Sequence, residues 1–210
     1  MSITTDTLFA GSPVMAIFRN MTPTHATTLA HRAWDLGIEL VEVPIQTSDA
    51  LPTLRAVVAA GRERGKVVGS GTVISLEQLE ASRAAGVGFT VSPGLDEAVV
   101  AESARINLPH LPGVATASEI QRALALGCTW VKAFPASVLG ATWFTTLRGP
   151  FPQVKFVATG GMDASNAAAF LDAGVSMVAV GSALADPAQV DLLAHLIAQR
   201  RANGGSEPRS

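Results

Sequence analysis

The sequence is poor in the features that mark secreted, membrane or nucleic-acid-binding proteins. A single cysteine, Cys128, excludes an internal disulfide framework and favours a reducing compartment, so we expect a cytoplasmic protein. No apolar run approaches the roughly 20 residues of a membrane-spanning helix, and the first residues lack the basic segment of a signal peptide. The formal net charge of -2 leaves no basic surface of the kind that binds nucleic acid. Neither a membrane nor a nucleic acid is therefore an expected partner.

Patterns that bind metal ions are also missing. The four histidines are too scattered for a metal triad, since His25, His31 and His195 fall on predicted helices and His110 lies at the start of the fifth predicted strand. No acidic pair stands at the ends of predicted strands, although Asp163 follows a Gly-Gly loop and keeps magnesium open as an alternative. We expect no metal and no cofactor.

The chain does contain one pattern that repeats eight times: a short apolar run, a polar turn, an alanine-rich helical segment and usually a glycine. Strands are predicted at residues 14–19, 38–46, 67–73, 89–93, 108–114, 130–135, 156–159 and 175–180. Helices are predicted at residues 22–36, 48–65, 75–86, 96–105, 116–127, 141–147, 165–174 and 187–201. Eight strand–helix units predict an α/β protein with a single (β/α)8 TIM-barrel domain over residues 1–202 and a flexible tail at 203–210. An open doubly wound sheet is the alternative, but no G-x-G-x-x-G motif follows the first strand.

Lys132 is unusual because it lies inside an apolar strand. Its neighbours Trp130, Val131, Ala133 and Phe134 are apolar, whereas the other two lysines stand at strand beginnings. Burial disfavours the ammonium form, so we expect a lowered pKa and a neutral amine that can attack a ketone to give a Schiff base. The structural alternative is a lysine that extends to the barrel mouth or pairs with a carboxylate.

Glu42 is the second unusual residue, because it interrupts the apolar run Leu40 to Ile45. A carboxylate in such a run is rarely fully buried without a partner. A raised pKa would let Glu42 move protons near neutral pH, as a general acid and base facing the barrel interior beside Lys132. The alternative is a structural ion pair between the same two residues.

Polar and glycine residues gather at the carboxyl ends of the predicted strands, which is the catalytic end of a TIM barrel. They are Arg19, Glu42, Gln46, Thr47, Thr72, Ser92-Pro93, Thr116, Lys132, Thr159-Gly160-Gly161 and Gly181-Ser182. Loops after the last two strands often bind phosphate in this fold, and glycine lets backbone N–H groups approach an anion closely. The two glycine sites, at 160–161 and 181, therefore predict a phosphate site, although glycines that only make tight turns are an alternative.

These motifs, taken together and in order, resemble the KDPG/KHG aldolase family, the pyruvate-forming aldolases of 2-keto-3-deoxy-6-phospho-sugar acids. The resemblance covers nearly all of residues 13 to 185. It rests on Ile-Phe-Arg (17–19), Val-Glu-Val-Pro (41–44), Gly-Ser-Gly-Thr-Val (69–73), Ser-Pro-Gly (92–94), Leu-Pro-Gly-Val-Ala-Thr (111–116), Val-Lys-Ala-Phe-Pro-Ala (131–136), Ala-Thr-Gly-Gly (158–161) and Val-Gly-Ser (180–182).

The resemblance implies a role for each matching position. Lys132 is the Schiff-base lysine, Glu42 moves the protons, and Thr72 contacts the pyruvate carboxylate. Phe134 lies beside the imine, and Arg19 binds an anion. The remaining binding positions that it implies are Gln46, Pro93, Thr159, Gly160, Gly161, Gly181 and Ser182, with Gly160, Gly161 and Ser182 holding the phosphate. It also implies a homotrimer that needs no metal.

The second strand departs from part of the family. Gluconate-type members often read Glu-Val-Thr-Leu-Arg-Thr there, whereas residues 42–47 read Glu-Val-Pro-Ile-Gln-Thr. Gln46 cannot supply a positive charge, so Arg19 is expected to take over part of the anion binding. This pattern, together with the run from Arg19 to Pro23, looks more like the phosphogalactonate branch.

The sequence thus predicts a Schiff-base aldolase that cleaves a phosphogalactonate- or phosphogluconate-type keto acid to pyruvate and D-glyceraldehyde 3-phosphate. One alternative is a 4-hydroxy-2-oxoglutarate aldolase, whose substrate carries no phosphate. Another is a sugar-phosphate-binding barrel without catalytic activity.

Overall fold

Nine parallel strands form one sheet in the computed structural model, which describes residues 5–181, 184 and 186–204. They are β1 (Val14–Ile17), β2 (Leu40–Pro44), β3 (Val68–Gly71), β4 (Phe89–Val91), β5 (His110–Leu111), β6 (Gly113–Val114), β7 (Trp130–Ala133), β8 (Lys155–Thr159) and β9 (Met177–Val180). Their spatial order is β5-β4-β3-β2-β1-β9-β8-β7-β6. Only Pro112 separates β5 from β6, so the two ends of the sheet meet and the predicted (β/α)8 barrel is confirmed.

The predicted fifth strand is therefore two short strands. Its first half pairs with β4 and its second half with β7. Proline has no N–H to donate to a ladder, which explains the interruption at Pro112. Its carbonyl still accepts a hydrogen bond of 2.8 Å from the backbone N–H of Lys132, so the barrel stays closed at β7.

Ten helices are found in the described part of the chain. They are α1 (Thr5–Phe9), α2 (Pro23–Asp35), α3 (Leu51–Glu63), α4 (Leu76–Ala85), α5 (Glu97–Arg105), α6 (Ala117–Ala125), α7 (Ala136–Leu139), α8 (Ala141–Leu147), α9 (Ala167–Asp172) and α10 (Pro187–Gly204), with a 3-10 turn at Ser48–Ala50. The sequence did not predict α1 and α7, which are too short to show a helical period. The last helix continues to Gly204, into the segment predicted as a tail. None of the described helices is long and apolar enough to cross a bilayer.

Helix caps explain several of the boundaries. Helix α6 begins with a capping box, in which the side chain of Thr116 accepts from the N–H of Glu119 and the carboxylate of Glu119 accepts in return. Helix α4 begins with only half of such a box. Ser75 accepts from the N–H of Gln78, but the side chain of Gln78 accepts instead from Ile74, at 2.8 Å.

Alternate residues on each strand point to opposite faces, and this divides the buried apolar residues into two groups. The outer group packs between the sheet and the helices. The inner group fills the barrel and consists of Phe9, Met15, Ile17, Leu40, Phe89, Val91, Leu111, Trp130, Val157, Met177 and Ala179. Each barrel strand from β1 to β9, except β3 and β6, contributes to this inner group. On β3 the inward positions are Gly69 and Gly71, which leave space inside the barrel.

The short helix α1 closes the amino end of the barrel. The ring of Phe9 lies 5.3 Å from that of Phe89 and 5.4 Å from that of Trp130. The carboxylate of Asp6 accepts hydrogen bonds from the indole N–H of Trp130 at 2.7 Å and from Lys155 at 2.6 Å. The barrel interior is thus open to substrate at the opposite, carboxyl end of the strands.

Candidate active site

Lys132 lies on the inner face of β7, two residues beyond the inward-facing Trp130. Its side chain is only 4% exposed, so the prediction of a buried lysine is confirmed and the alternative of a lysine extending into solvent is wrong. The side-chain nitrogen Nζ of Lys132 is 5.3 Å from the ring centroid of Phe134. Burial lowers the pKa of Lys132, and the positive charge of Arg19 adds to this effect, while the negative charge of Glu42 opposes it. The neutral amine that attacks a ketone therefore forms at a lower pH than in an exposed lysine.

Glu42 lies on the inner face of β2 and is 1% exposed. Burial raises the pKa of this carboxyl group, although the charges of Lys132 and Arg19 oppose the shift. Space for the carboxyl group exists only because position 71 is glycine, since a Cβ there would lie 1.6 Å from Oε1. Carboxylate oxygen Oε2 has no hydrogen-bond partner among the described residues. A buried polar group without a partner is costly in free energy, so its retention suggests a functional role.

Lys132 and Glu42 interact electrostatically without forming an ion pair. Each one shifts the pKa of the other, yet in residues 5–181, 184 and 186–204 no ion pair of 4.0 Å or less joins them. The alternative of a structural ion pair is therefore not supported. Burial shifts the pKa of each group towards its neutral form, and the charge of the other group opposes that shift. An amine and a carboxyl group that can exchange protons thus face one interior.

Thr72 follows β3 directly and has a left-handed backbone conformation, with φ of +52°. This conformation is rare for a β-branched residue and costs about 1–3 kcal/mol. The chain on either side is fixed, because the carbonyl of Gly71 accepts from the N–H of Ile45 at 2.8 Å and the N–H of Val73 donates to Val91 at 3.0 Å. The half-buried Thr72 side chain is thus held next to the strand position whose glycine makes room for Glu42.

Pro93 lies in the turn after β4 and is half buried. A Cβ at Gly113 would lie 2.2 Å from the Pro93 carbonyl carbon and oxygen, so this turn packs directly on the start of β6. The backbone N–H of Gly113 also donates to the carbonyl of Gly94 at 3.0 Å. The turn is thereby fixed to the strand that neighbours Lys132.

The glycines after β8 pack against the turn after β7. Gly160 and Gly161 have φ values of +94° and +71°, which favour glycine. A Cβ on Gly160 would lie 2.9 Å from the ring of Phe134, and one on Gly161 would lie 2.2 Å from the hydroxyl of Ser137. The peptide bond between Phe134 and Pro135 is cis. This close packing brings the predicted phosphate loop to the aromatic ring beside Lys132.

A cavity of about 330 Å³ lies at this end of the barrel. Its lining includes six predicted site residues, namely Arg19, Phe134, Thr159, Gly160, Gly161 and Gly181. Thr159 is 5% exposed, and its hydroxyl has no hydrogen-bond partner within the described ranges. An unpaired buried hydroxyl beside a cavity is suited to bind a polar ligand.

Five other predicted site residues that the structure describes do not line this cavity: Glu42, Gln46, Thr72, Pro93 and Lys132. Gln46 is exposed, lies two residues beyond the end of β2 and does not line the cavity. Ser182 falls outside the described residues, so its predicted phosphate contact stays a prediction.

A family model described as KDPG and KHG aldolase matches residues 6–194 of the chain. The chain belongs to the KDPG and KHG aldolase family. It is therefore an aldolase, that is, a carbon–carbon lyase.

Two curated relatives are named for different phosphorylated sugar acids. The 2-dehydro-3-deoxy-phosphogluconate aldolase of Treponema pallidum (strain Nichols) is 39% identical over 166 residues, which cover 78% of this chain and 77% of that protein. The 2-dehydro-3-deoxy-6-phosphogalactonate aldolase of Escherichia coli (strain K12) is 31% identical over 173 residues, covering 82% of this chain and 84% of that protein. Both substrate types thus occur among its relatives.

A solved structure supports the same assignment. The KDPG aldolase of Legionella pneumophila, with pyruvate captured at low pH as a covalent carbinolamine intermediate, superposes with a TM-score of 0.80 at 30% identity. The match covers 91% of this chain and 95% of that chain. The barrel described above is therefore the fold of this aldolase family.

Some features of the aldolase cavity were not expected from the sequence. Asn20, Met21 and Met162 line it without having been predicted. Asn20 has a φ of +55°, and asparagine is one of the few residues that adopt this conformation readily, which is the only local signal. Asp163, left open as a magnesium ligand, instead accepts from the backbone N–H groups of Ser165 and Asn166. No group of three or more acidic, histidine or cysteine side chains suited to a metal occurs in the described part of the aldolase.

Proposed function

We propose that this protein is a Schiff-base aldolase that cleaves a 2-keto-3-deoxy-6-phospho-sugar acid to pyruvate and D-glyceraldehyde 3-phosphate. The observation that carries the proposal is the pair of Lys132 and Glu42. Both are buried on the inner face of the barrel, and both have pKa values shifted towards their neutral forms. The pyruvate carbinolamine captured in the Legionella relative supports covalent chemistry between an amine and the keto acid.

The first half of the reaction forms the iminium. The neutral amine of Lys132 adds to the C2 carbonyl carbon, and the resulting carbinolamine must lose its hydroxyl as water. The protonated Glu42 carboxyl group can donate the proton that this step needs. The Lys132 nitrogen then carries a positive charge in a site with little water, and the Glu42 carboxylate formed in this step balances it.

The second half breaks the carbon–carbon bond. Glu42, now a carboxylate, takes the proton of the C4 hydroxyl through a water molecule, and the electrons of the C3–C4 bond move to the iminium. Glyceraldehyde 3-phosphate leaves, and an enamine remains on Lys132. Glu42 returns its proton to C3 of the enamine, and hydrolysis then releases pyruvate and restores the free amine.

The cavity supports the binding part of the proposal. Arg19 is exposed at its rim, and its charge affects the pKa of both Lys132 and Glu42, so an anionic substrate is attracted to the site. We propose that Thr72 binds the keto-acid carboxylate and that Gly160 and Gly161 bind the phosphate. Glycine has no side chain, so an anion can approach the backbone N–H groups of this loop closely.

Substrate stereochemistry is proposed to be of the phosphogalactonate type. Gln46 replaces the arginine of many gluconate-type members, and Arg19, Asn20 and Met21 form one wall of the cavity. The higher overall identity to the phosphogluconate relative favours the other substrate. An assay of pyruvate release, coupled to lactate dehydrogenase and offered each sugar acid in turn, decides between them through kcat/KM. The same assay with 4-hydroxy-2-oxoglutarate tests the alternative that the substrate carries no phosphate.

Borohydride trapping tests the Schiff base directly. Protein reduced in the presence of pyruvate should gain one adduct, located by mass spectrometry on the peptide that contains Lys132. Lys66 and Lys155 are internal controls in the same sample, because each forms an ion pair in the structure and should stay unlabelled. Binding of the sugar acid without adduct or pyruvate release would show the non-catalytic alternative to be right.

A homotrimer is also proposed. Exposed apolar side chains follow two strands on different sides of the barrel, Ile74 and Leu76 after β3 and Val138 after β7. A cyclic trimer uses two different patches on every subunit, so paired but distinct apolar patches are what it requires. Light scattering after size-exclusion chromatography tests this proposal, with I74K and V138K each expected to give monomers.

A further inference from the structure

A buried histidine outside the barrel interior is linked through Ser92 to the loop that carries Thr72. His110 is on β5, and because its neighbour Leu111 belongs to the inner group, His110 faces the helices. It is 6% exposed. Ring nitrogen Nδ1 lies 2.7 Å from the hydroxyl of Thr90, and Nε2 lies 3.2 Å from the hydroxyl of Ser92. Both ring nitrogens therefore have a partner.

The hydrogen-bond directions follow from the partners. The hydroxyl of Ser92 donates to the backbone carbonyl of Val73, which can only accept. Ser92 has a single proton, so it must accept from His110, and Nε2 must carry the imidazole proton. Burial lowers the pKa of His110 to about 4, so at neutral pH the ring has one proton only. Nδ1 is then the acceptor for the hydroxyl of Thr90.

The resulting chain of hydrogen bonds ends at the carbonyl of Val73, the residue that follows Thr72. It runs from Thr90 through His110 and Ser92 to the carbonyl of Val73. The N–H of the same residue is bonded to Val91 on the neighbouring strand. Both polar groups of Val73 are thus held by β4 and its following turn, immediately after a residue in an unfavourable left-handed conformation.

We propose that His110 is a positioning residue for Thr72. The N–H at Nε2 fixes the hydroxyl of Ser92 on the carbonyl of Val73, and this keeps Thr72 left-handed with its side chain at the carboxylate end of the substrate. His110 itself touches no substrate. The proposal rests on the function proposed above, because it assigns Thr72 to the keto-acid carboxylate.

Two substitutions of His110 separate the two hydrogen bonds. Glutamine can place an amide N–H near the position of Nε2 and keep the bond to Ser92. Asparagine is shorter, so its amide oxygen can accept from Thr90 while the bond to Ser92 is lost. We expect H110N to raise KM for the sugar acid about tenfold with kcat changed less than about threefold, because carboxylate binding is lost equally in ground and transition states. H110Q should stay within about threefold of the unmodified KM. Equal KM values for the two variants would overturn the proposal.

A double-mutant cycle separates positioning from general destabilisation. T72A should raise KM by itself, and H110N/T72A should be no worse than T72A if His110 acts through Thr72. Fully additive effects would contradict the proposal. If H110N does not fold, S92A replaces it in the cycle, because it removes the same link and leaves the ring intact.

Nuclear magnetic resonance provides a readout that does not depend on activity. The ¹⁵N shifts of His110 should indicate the neutral tautomer protonated at Nε2, and the carbonyl carbon of Val73 should shift in H110N but not in H110Q. A ring protonated at Nδ1 would overturn the proposal. If the protein proves inactive on both sugar acids while these shifts are seen, the structural link is right and the proposed function is wrong.

Discussion

Two groups of buried polar side chains lie on opposite faces of the same sheet, and they differ in how far their hydrogen-bonding groups are satisfied. Inside the barrel, Glu42 is buried with one carboxylate oxygen unpaired in the part of the chain that the structure describes. Outside it, His110 is buried almost as deeply, yet both of its ring nitrogens are bonded. Burial alone therefore does not distinguish an active site from a structural network. The unpaired carboxylate oxygen of Glu42 is what separates these two groups, because leaving a buried polar group unpaired costs free energy.

The largest effect is expected from replacing Lys132, one of the two buried polar residues inside the barrel. K132M should lower kcat for pyruvate release by about 10⁴-fold, because the nucleophile is gone. The melting temperature should stay the same or rise, since an apolar side chain of similar length replaces a buried amine. K155M is the matched control. It should keep its activity and lose stability, because Lys155 pairs with Asp6 at the closed end of the barrel.

A loss of both activity and fold in K132M would contradict the claim that Lys132 serves the reaction and not the fold. It would mean that Lys132 stabilises the barrel, as the outer network does.

The second prediction concerns the acid and base. E42Q keeps the shape of the side chain but cannot transfer protons, so kcat should fall about 10²- to 10⁴-fold. G71A should give a loss in the same range without touching the carboxyl chemistry, because its Cβ would overlap Glu42. The assay is again pyruvate release, with circular dichroism to check that both variants fold. Normal activity in G71A would show that the position of Glu42 is not critical.

How far these two groups could be predicted from sequence differs for a physical reason. The burial of Lys132 and Glu42 was predictable because each interrupts an apolar run on its own strand, a local signal. The barrel followed from eight repeated units. The break at Pro112 was not predicted, although proline within a strand does weaken pairing.

The outer network was not predictable, because it depends on register. Thr90 and Ser92 share a face of one strand, but their contact with His110 requires that Thr90 and His110 be paired across two strands. The left-handed Thr72 also gives no sequence signal, since its conformation is imposed by hydrogen bonds from neighbouring strands. Long-range contacts of this kind override the preference of a single residue.

The third prediction concerns the pH dependence of stability that His110, outside the barrel, should cause. The pKa of His110 is lowered from 6.5 to about 4 mainly by burial, with the negative charge of Asp96 opposing. The unfolded chain therefore binds more protons than the folded protein between these values, and stability is lost as pH falls from about 6.5 to about 4. The loss should reach about 3 kcal/mol. H110Q should lack it, so the difference between the two proteins in urea unfolding at several pH values isolates this histidine.

Other titrating groups do not affect the difference in stability between the unmodified protein and H110Q. The lowered pKa values of Asp6, Asp163 and Glu119 also make the protein less stable in acid, but they are the same in both proteins. A constant difference in unfolding free energy between pH 7 and pH 4 would show that His110 titrates normally and is not held in a dry network.

The smallest expected effect concerns the electrostatic coupling between Lys132 and Glu42. The rate of Schiff-base formation with pyruvate should rise with pH and level off below the ordinary lysine pKa of 10.5, because burial lowers the pKa of Lys132. The charge of Glu42 acts in the opposite direction and raises this pKa. Removing the charge in E42Q should therefore move the midpoint to a lower pH still, even though later steps become slower. Stopped-flow measurement of single-turnover trapping across pH gives both midpoints. An E42Q midpoint at higher pH would mean that Glu42 does not stabilise the ammonium form of Lys132. The two residues inside the barrel would then lack the electrostatic coupling that sets them apart from the His110 network.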